Sequence, residues 1–385
     1  MADSSARAFQ SRLARRDFMR YSAVMGGAGL LAACSKNTSA PGATGPAASS
    51  RPPVEQETGT LEVFEWAGYE LKQLWKPYAK QFPGEAPHFT FLTSDDQALA
   101  KVRAGYHPDV VHPCVGYVQD WVNLGVVQPW DTSLMPNFAQ LDPTKTAAGQ
   151  IDGKQYFIPM DWGFTSVLYR TDKIDPADVA EPSWALYFNE KYAGKISWWD
   201  ALENLVIAGY FLGFDGYAMD DNELEQAKQF LMSKVHIVRN FWTSETDMDQ
   251  DFASGNIYIA YAWQGDWVSM HNQGLQVGYL DPKEGRLSWI CGMVLLADTK
   301  EYYHAHDYAD AWASAQSGQW LLENYYYGHS NTQIDPSPLG PDALSLFPVA
   351  DPTALQEPKT HIDRFIANRA GYNQAWDEVK ASAGA

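Results

Sequence analysis

"LEVFEWAGYELKQLWKPYAKQFPGEAPHFTFLTSDDQALAKVRAGYHPDVVHP", residues 61–113, changes its apolar period from segment to segment. LEVFEW (61–66) alternates apolar and polar side chains, as a half-buried strand does, and LKQLWKPYAKQF (71–82) repeats its apolar residues at helical spacing. HFTFLT (88–93) reads as a strand, DDQALAKVRAG (95–105) as a helix and PDVVHP (108–113) as a short buried strand. Strands that alternate with helices imply an α/β fold, a mostly parallel sheet covered by helices. Ligands of such sheets gather beyond the carboxyl ends of the strands. Here those ends carry Trp66 to Tyr69 and His112 to Tyr117.

The same style continues downstream. GKISWW (194–199) is a strand followed by the helical pattern ALENLVIAGYFLGF (201–214), and DNELEQAKQFLMSKV (221–235) is a second helix. NIYIAYAW (256–263) is a further strand, while 307–327 and 366–381 read as helices. No tandem repeat and no internal linker divides the chain. Two α/β lobes without a linker call for a chain that crosses between them more than once.

With 385 residues, 45% of them hydrophobic, and 15 tryptophans, the chain can bury a sizeable core. Its start reads differently. ARRDFMR (14–20) precedes a mildly apolar run, YSAVMGGAGLLAA (21–33), which is far shorter than the roughly 20 residues that span a bilayer. Residues 1–33 are therefore expected to be a cleavable export signal, and the paired arginines resemble the twin-arginine type. LAAC (31–34) resembles a bacterial lipobox, in which Cys34 is lipidated and anchors the mature protein to a membrane. Residues 34–58 are too poor in apolar side chains to fold and are expected to be a flexible tether spanning roughly 25–30 Å. Localisation is then extracytoplasmic, in the periplasm or on the outer face of the membrane.

The formal charge of −19 repels nucleic acid and favours cations, although acidity also serves solubility. There is no G-x-S-x-G elbow, no phosphate-binding glycine loop and no H-E-x-x-H. His304 and His306 stand at i and i+2 on a helical pattern, on different faces, so no metal site and no cofactor are expected. A secreted glycoside hydrolase would hold its carboxyls across a cleft, about 5–9.5 Å apart. Asp200 and Glu203 lie three residues apart and approach from one side, so no enzyme activity is expected.

Aromatic residues stand where a lobe would open: Trp66, Tyr69 and Trp263 follow strands. Aromatic faces attract ammonium groups, but they also stack on sugars. Others, such as Trp75 and Trp320, sit at helical spacing and are expected in the core. ISWWDALENL (196–205) allows two readings. Asp200-x-x-Glu203 has the spacing of a capping box at a helix start. The same two carboxylates beside Trp198 and Trp199 would also grip an amine through charge-assisted hydrogen bonds.

Six stretches in order resemble the substrate-binding proteins of polyamine (spermidine/putrescine) ABC transporters. FEWAGY (64–69) looks like the start F-x-N-W-x-x-Y of that family. GYHPDVVHPCVGYVQDWVNLGVVQPWD (105–131) is similar to its D-[LV]-V-x-P segment and the helix and turn behind it. YFIPMDWGFTSVLY (156–169) matches P-x-x-W-G-x-T, and PSWALYFNEKYAGKI (182–196) matches S-W-x-x-L followed by Y-x-G-K. AYAWQGDW (260–267) matches W-x-G-D, and DPKEGRLSW (281–289) matches P-x-E-G-x-x-x-W.

The resemblance implies a two-lobed periplasmic-binding-protein fold of type II. Each lobe would hold a mixed, mostly parallel sheet flanked by helices. Lobe 1 would comprise 59–163 with about 291–345, and lobe 2 about 164–290 with 346–385, joined by hinge crossings near Ile158 to Thr165, near Trp289 and before the C-terminal helix. It implies a small cationic amine as ligand and a membrane permease as partner. The aromatic box falls on Trp66, Tyr69, Trp263 and Trp289, with Trp162 and Tyr327 added, and the amine-binding carboxylates on Asp200, Glu203 and Asp266.

Departures bear on the ligand. Glu65 stands where the family has Asn and, beside a cleft tryptophan on a strand, is expected to point away. Gly68 replaces an acid, Cys291 stands where Asp is usual, and Cys114 where a small hydroxyl is. Both cysteines fall on cleft positions of one lobe, and a disulfide between them is a hypothesis. The rival reading keeps the fold and binds an amino-acid derivative, opine or betaine-like compound, for which Arg170, Arg239 and Arg286 are the candidate carboxylate partners.

Overall fold

A computed structural model describes residue 57 and residues 60–351, 353–356 and 358–383. The export signal, Cys34 and the tether apart from Glu57 lie outside the described residues.

One large mixed sheet organises the molecule. Its order is β2 (His88–Leu92), β1 (Glu62–Trp66), β3 (Val110–Val111), β8 (Arg286–Leu296), β4 (Phe157–Arg170), β7 (Ile259–Trp263), β5 (Ile196–Trp199) and β6 (Val238–Trp242). β1 runs parallel to β2 and β3, and β5 runs parallel to β7 and β6. These parallel triplets are joined through β8 and β4, which run antiparallel to each other; β8 is antiparallel to β3 and β4 to β7. The expected alternation thus holds in both halves.

β4 is 14 residues long and buried over its first 12, because it has paired neighbours on both edges and helices on both faces. β1 shows the same two-sided covering. Val63 packs in a core with Trp75 and Trp312, while Phe64 packs in another with Leu99 and Trp121. Trp75 is a core residue as expected, whereas Trp320 is only partly buried against Tyr325. Ser94 accepts from the N–H of Gln97 and starts the Asp95–Arg103 helix, whose first turn carries Asp95 and Asp96.

Three helices differ from their sequence pattern. The 71–82 pattern is helical only over Lys76–Gln81, since Pro77 lacks an N–H and is tolerated only in a first turn. The 307–327 pattern is two helices, Tyr302–Trp312 and Ala315–Tyr325, because the Ser314 hydroxyl accepts from the Ser317 N–H and caps a new start. The capping box expected at Asp200 is absent. That helix starts at Glu203, with Leu202 as its N-cap. The Asn204 amide donates to the carbonyls of Trp199 (2.6 Å) and Ala201 (2.8 Å), which holds the chain in a turn and delays the helix. A capping box forms instead at Asp220 and Glu223.

Glu57 is not a free tether residue. Its carboxylate accepts from the backbone N–H groups of Tyr303 (2.8 Å) and His304 (3.0 Å) at a helix start. Cys114 and Cys291 are joined in a disulfide, tying the segment after β3 to β8.

Candidate functional site

The crossing of β4 and β8 sets the site. Trp289 pairs with Gly163 across the two strands. A Cβ on Gly163 would stand 2.7 Å from the Trp289 ring, so only glycine leaves that indole its place. Tyr327 meets Trp289 edge-on at 4.9 Å. Trp66 and Trp263, each ending a strand, remain partly exposed. Trp263 continues into a second aromatic group, with Trp242 at 5.1 Å, Trp199 at 5.5 Å and Tyr261 stacked on Trp199 at 5.4 Å.

Asp266 sits in the first turn of the Gln264–Asn272 helix and accepts from the Trp263 N–H at 2.8 Å. Burial, then repulsion from Glu245 and Asp249, holds its carboxyl well above the usual range. Asp249 is pushed up to about 7, by burial first and Glu245 second, and its Oδ1 has no hydrogen-bond partner. Tyr327 lies in the field of Glu245, Asp266, Asp161 and Asp249. Three carboxyls therefore face one another beside Trp263 and Tyr327. A cation is what would let them ionise together.

A second acidic group lies beyond Trp199 and Tyr261. Glu203 is pushed up to about 8 by burial, then by Asp363, and Asp363 to about 6 by burial against the pull of Arg369. Tyr261 and Tyr217 both lie in the field of Glu203 and Asp363. Asp363 Oδ2 accepts from the Gly116 N–H at 3.3 Å. A cavity of about 400 Å³ opens at the outer edge of this group, lined by Val115, Val118, Ile151, Leu355 and Phe365 with Asp363.

Not every expected residue joins these groups. Asp200 accepts from the Trp376 indole N–H at 3.0 Å and pairs with Lys380 at 3.0 Å, so it points to the C-terminal helix instead of sharing a face with Glu203. Trp162 is buried, with the Lys145 ammonium 4.5 Å above its ring. Cys114 and Cys291 spend their sulfur on each other. The Tyr69 hydroxyl donates to Asp161 Oδ2 at 2.6 Å and is buried beneath the box. Glu65 is fully buried and lies 2.7 Å from His112, whose other ring nitrogen is 3.0 Å from Asp161. Gly68 adopts φ +101°, which disfavours the side chain the family places there.

The candidate arginines lie elsewhere. Arg170 pairs with Asp172, Arg286 donates to the Leu346 carbonyl and covers the Phe164 ring, and Arg239 is exposed. The arginine that reaches the site is Arg369, beside Tyr117 and Asp120. Sequence reasoning missed it, along with Asp363, Glu245 and Asp249; none carries a motif. His304 and His306 diverge, the first toward Glu57, Glu85 and Glu301 and the second toward the Asp131 N–H and the Tyr302 carbonyl.

Known proteins with related sequences are named for amine capture. The chain is 26% identical over 248 residues to the spermidine/putrescine-binding periplasmic protein of Escherichia coli K12, covering 63% of this chain and 70% of that one. It is 27% identical over 259 residues to the putrescine/agmatine-binding protein of Pseudomonas aeruginosa, covering 62% and 69%. In fold it is similar to a protein from Listeria monocytogenes assigned to spermidine/putrescine ABC transport, with TM-score 0.71, 18% identity, and 84% and 99% of the two chains covered. The sequence profile of the bacterial extracellular solute-binding proteins matches residues 73–343, and the chain belongs to that family.

Proposed function

We propose that this protein is the substrate-binding component of an ABC importer. It captures a small cationic amine, with a polyamine such as putrescine or spermidine as the default, and hands it to a membrane permease. The observation that carries this reading is the group of Asp266, Asp249 and Glu245 beside Trp263 and Tyr327. Asp266 is buried, Asp249 half-buried and Glu245 exposed. Carboxyls that crowd one another beside aromatic faces either keep a proton or take up a cation, which lets them ionise together. The names of the sequence relatives support the same ligand class.

In this reading Trp66, Trp263, Trp289 and Tyr327 wall the ligand, Asp266 and Glu203 stand at the two acidic ends of the site, and no chemistry is performed on it. In the same reading, 59–163 with about 291–345 would form one lobe and about 164–290 with 346–385 the other, with the hinge where β4 and β8 cross. An export signal and lipidation at Cys34 place the protein on the outer face of a membrane, beside its permease.

The test is a titration with putrescine, spermidine and an amino-acid panel, followed by tryptophan fluorescence and thermal shift. An amine at 100 times its dissociation constant stabilises the protein by about 2.7 kcal/mol. Silence toward every di- and polyamine at millimolar concentration, with a response to amino-acid derivatives, would hand the site to the rival ligand class.

A further inference from the structure

The two acidic groups are not equivalent. Among the described residues no lysine, arginine or histidine pairs with Asp266, Asp249 or Glu245. The other group already holds a cation of the chain's own. Arg369 is buried, and its guanidinium carbon lies 3.6 Å from the centre of the Tyr117 ring. Its Nε donates to Asp120 Oδ2 at 3.1 Å and its Nη2 to the Gly116 carbonyl at 2.9 Å. Glu203, Asp363 and Asp96 lie within its field.

An aromatic face with carboxylates around it is the arrangement that receives an ammonium group. Here a guanidinium, which does not lose its proton in proteins, fills it permanently. The place is also tightly built. A Cβ on Gly116 would fall 2.2 Å from Asp363 Oδ1, so the Asp363 carboxylate rests directly on the backbone that Arg369 grips. A ligand's second ammonium would have to displace Arg369 or lie against it, and like charges in a partly dry site repel.

We infer that Arg369 is a resident cation that closes the Glu203 end of the amine site, so that the protein recognises a single ammonium group, at the Trp263 and Asp266 end. Arg369 is thus a specificity-determining residue, and the ligand class narrows to amines whose far end carries no second cation held by the protein. This rests on the amine reading above.

Butylamine and putrescine have the same carbon chain and differ by one ammonium, and calorimetric titration of both tests the inference. The wild type is expected to bind them within about threefold of each other, and R369Q to prefer putrescine by about tenfold or more, because the second ammonium gains Glu203, Asp363 and Asp120. R369K keeps a cation in place and is expected to retain the wild-type ratio. A wild type that already prefers putrescine by about tenfold, or an R369Q ratio equal to that of the wild type, overturns the inference and leaves the amine reading standing. Binding of neither amine by the folded wild type defeats the amine reading, and this inference with it.

Discussion

Glu203 keeps its proton because its surroundings oppose its charge. Burial raises the carboxyl most and Asp363 raises it further; its own backbone N–H and Arg369 pull it back, leaving about 8 against an ordinary 4.5. Asp249, at about 7, is raised by burial and then by Glu245. The folded protein therefore holds protons that the unfolded chain has released, from about pH 4.5 up to each raised value. In that window its stability falls as pH rises. The melting temperature without ligand is expected to decline between about pH 5 and pH 8, and E203Q is expected to flatten the upper part of the decline. An ammonium ligand favours the ionised carboxyls, so amine affinity has the opposite slope and rises over the same range. A melting temperature that climbs toward pH 8 in the wild type would mean that these carboxyls are ionised throughout.

At the scale of elements, the disulfide is the strongest tie between the segment after β3 and the shared strand β8. It spans 177 residues of sequence, and Cys114 is further held by its N–H donating to Asp95 Oδ1 at 3.1 Å. Removing both cysteines as C114S/C291S is expected to cost about 2–4 kcal/mol, read as a lower urea midpoint. A reductant should move the wild type the same way and leave the variant unmoved. A wild type indifferent to reductant would mean that the bond does not form. The strands and the aromatic ends of β1 and β7 were legible because periodicity and strand ends are local properties. The Asp200 carboxylate was misplaced for a reason equally local. Asn204 captures the carbonyls of Trp199 and Ala201, and a capping box cannot be told from sequence when a better side-chain donor competes for the same turn. Arg369 and Asp363 were invisible because their partners, Asp120 and Gly116, lie 249 and 247 residues away.

Over the whole molecule, the sheet would be two separate parallel triplets without β4 and β8, and the ionic network beneath Tyr69 pins one triplet to that pair. Glu65 comes from β1, His112 follows β3 and Asp161 lies on β4, all fully buried, with Tyr69 donating to Asp161 and Trp312 edge-on to His112 at 5.4 Å. Burial works against the imidazolium, but Glu65 and Asp161 outweigh it and push His112 up to about 10. Its contribution is fully present below the unfolded value near 6.5 and is lost as pH rises through about 10. Replacing it as H112Q leaves two acids in the interior with no cation between them. Removing one partner of a buried ionic group typically costs about 3–5 kcal/mol, and that loss is expected in the urea midpoint at neutral pH. The penalty belongs to the stranded carboxyls and not to the missing ring, so the triple variant E65Q/H112Q/D161N is expected to recover part of it. A triple variant less stable than H112Q would mean that shape and packing, not charge, hold this triplet to the shared strands.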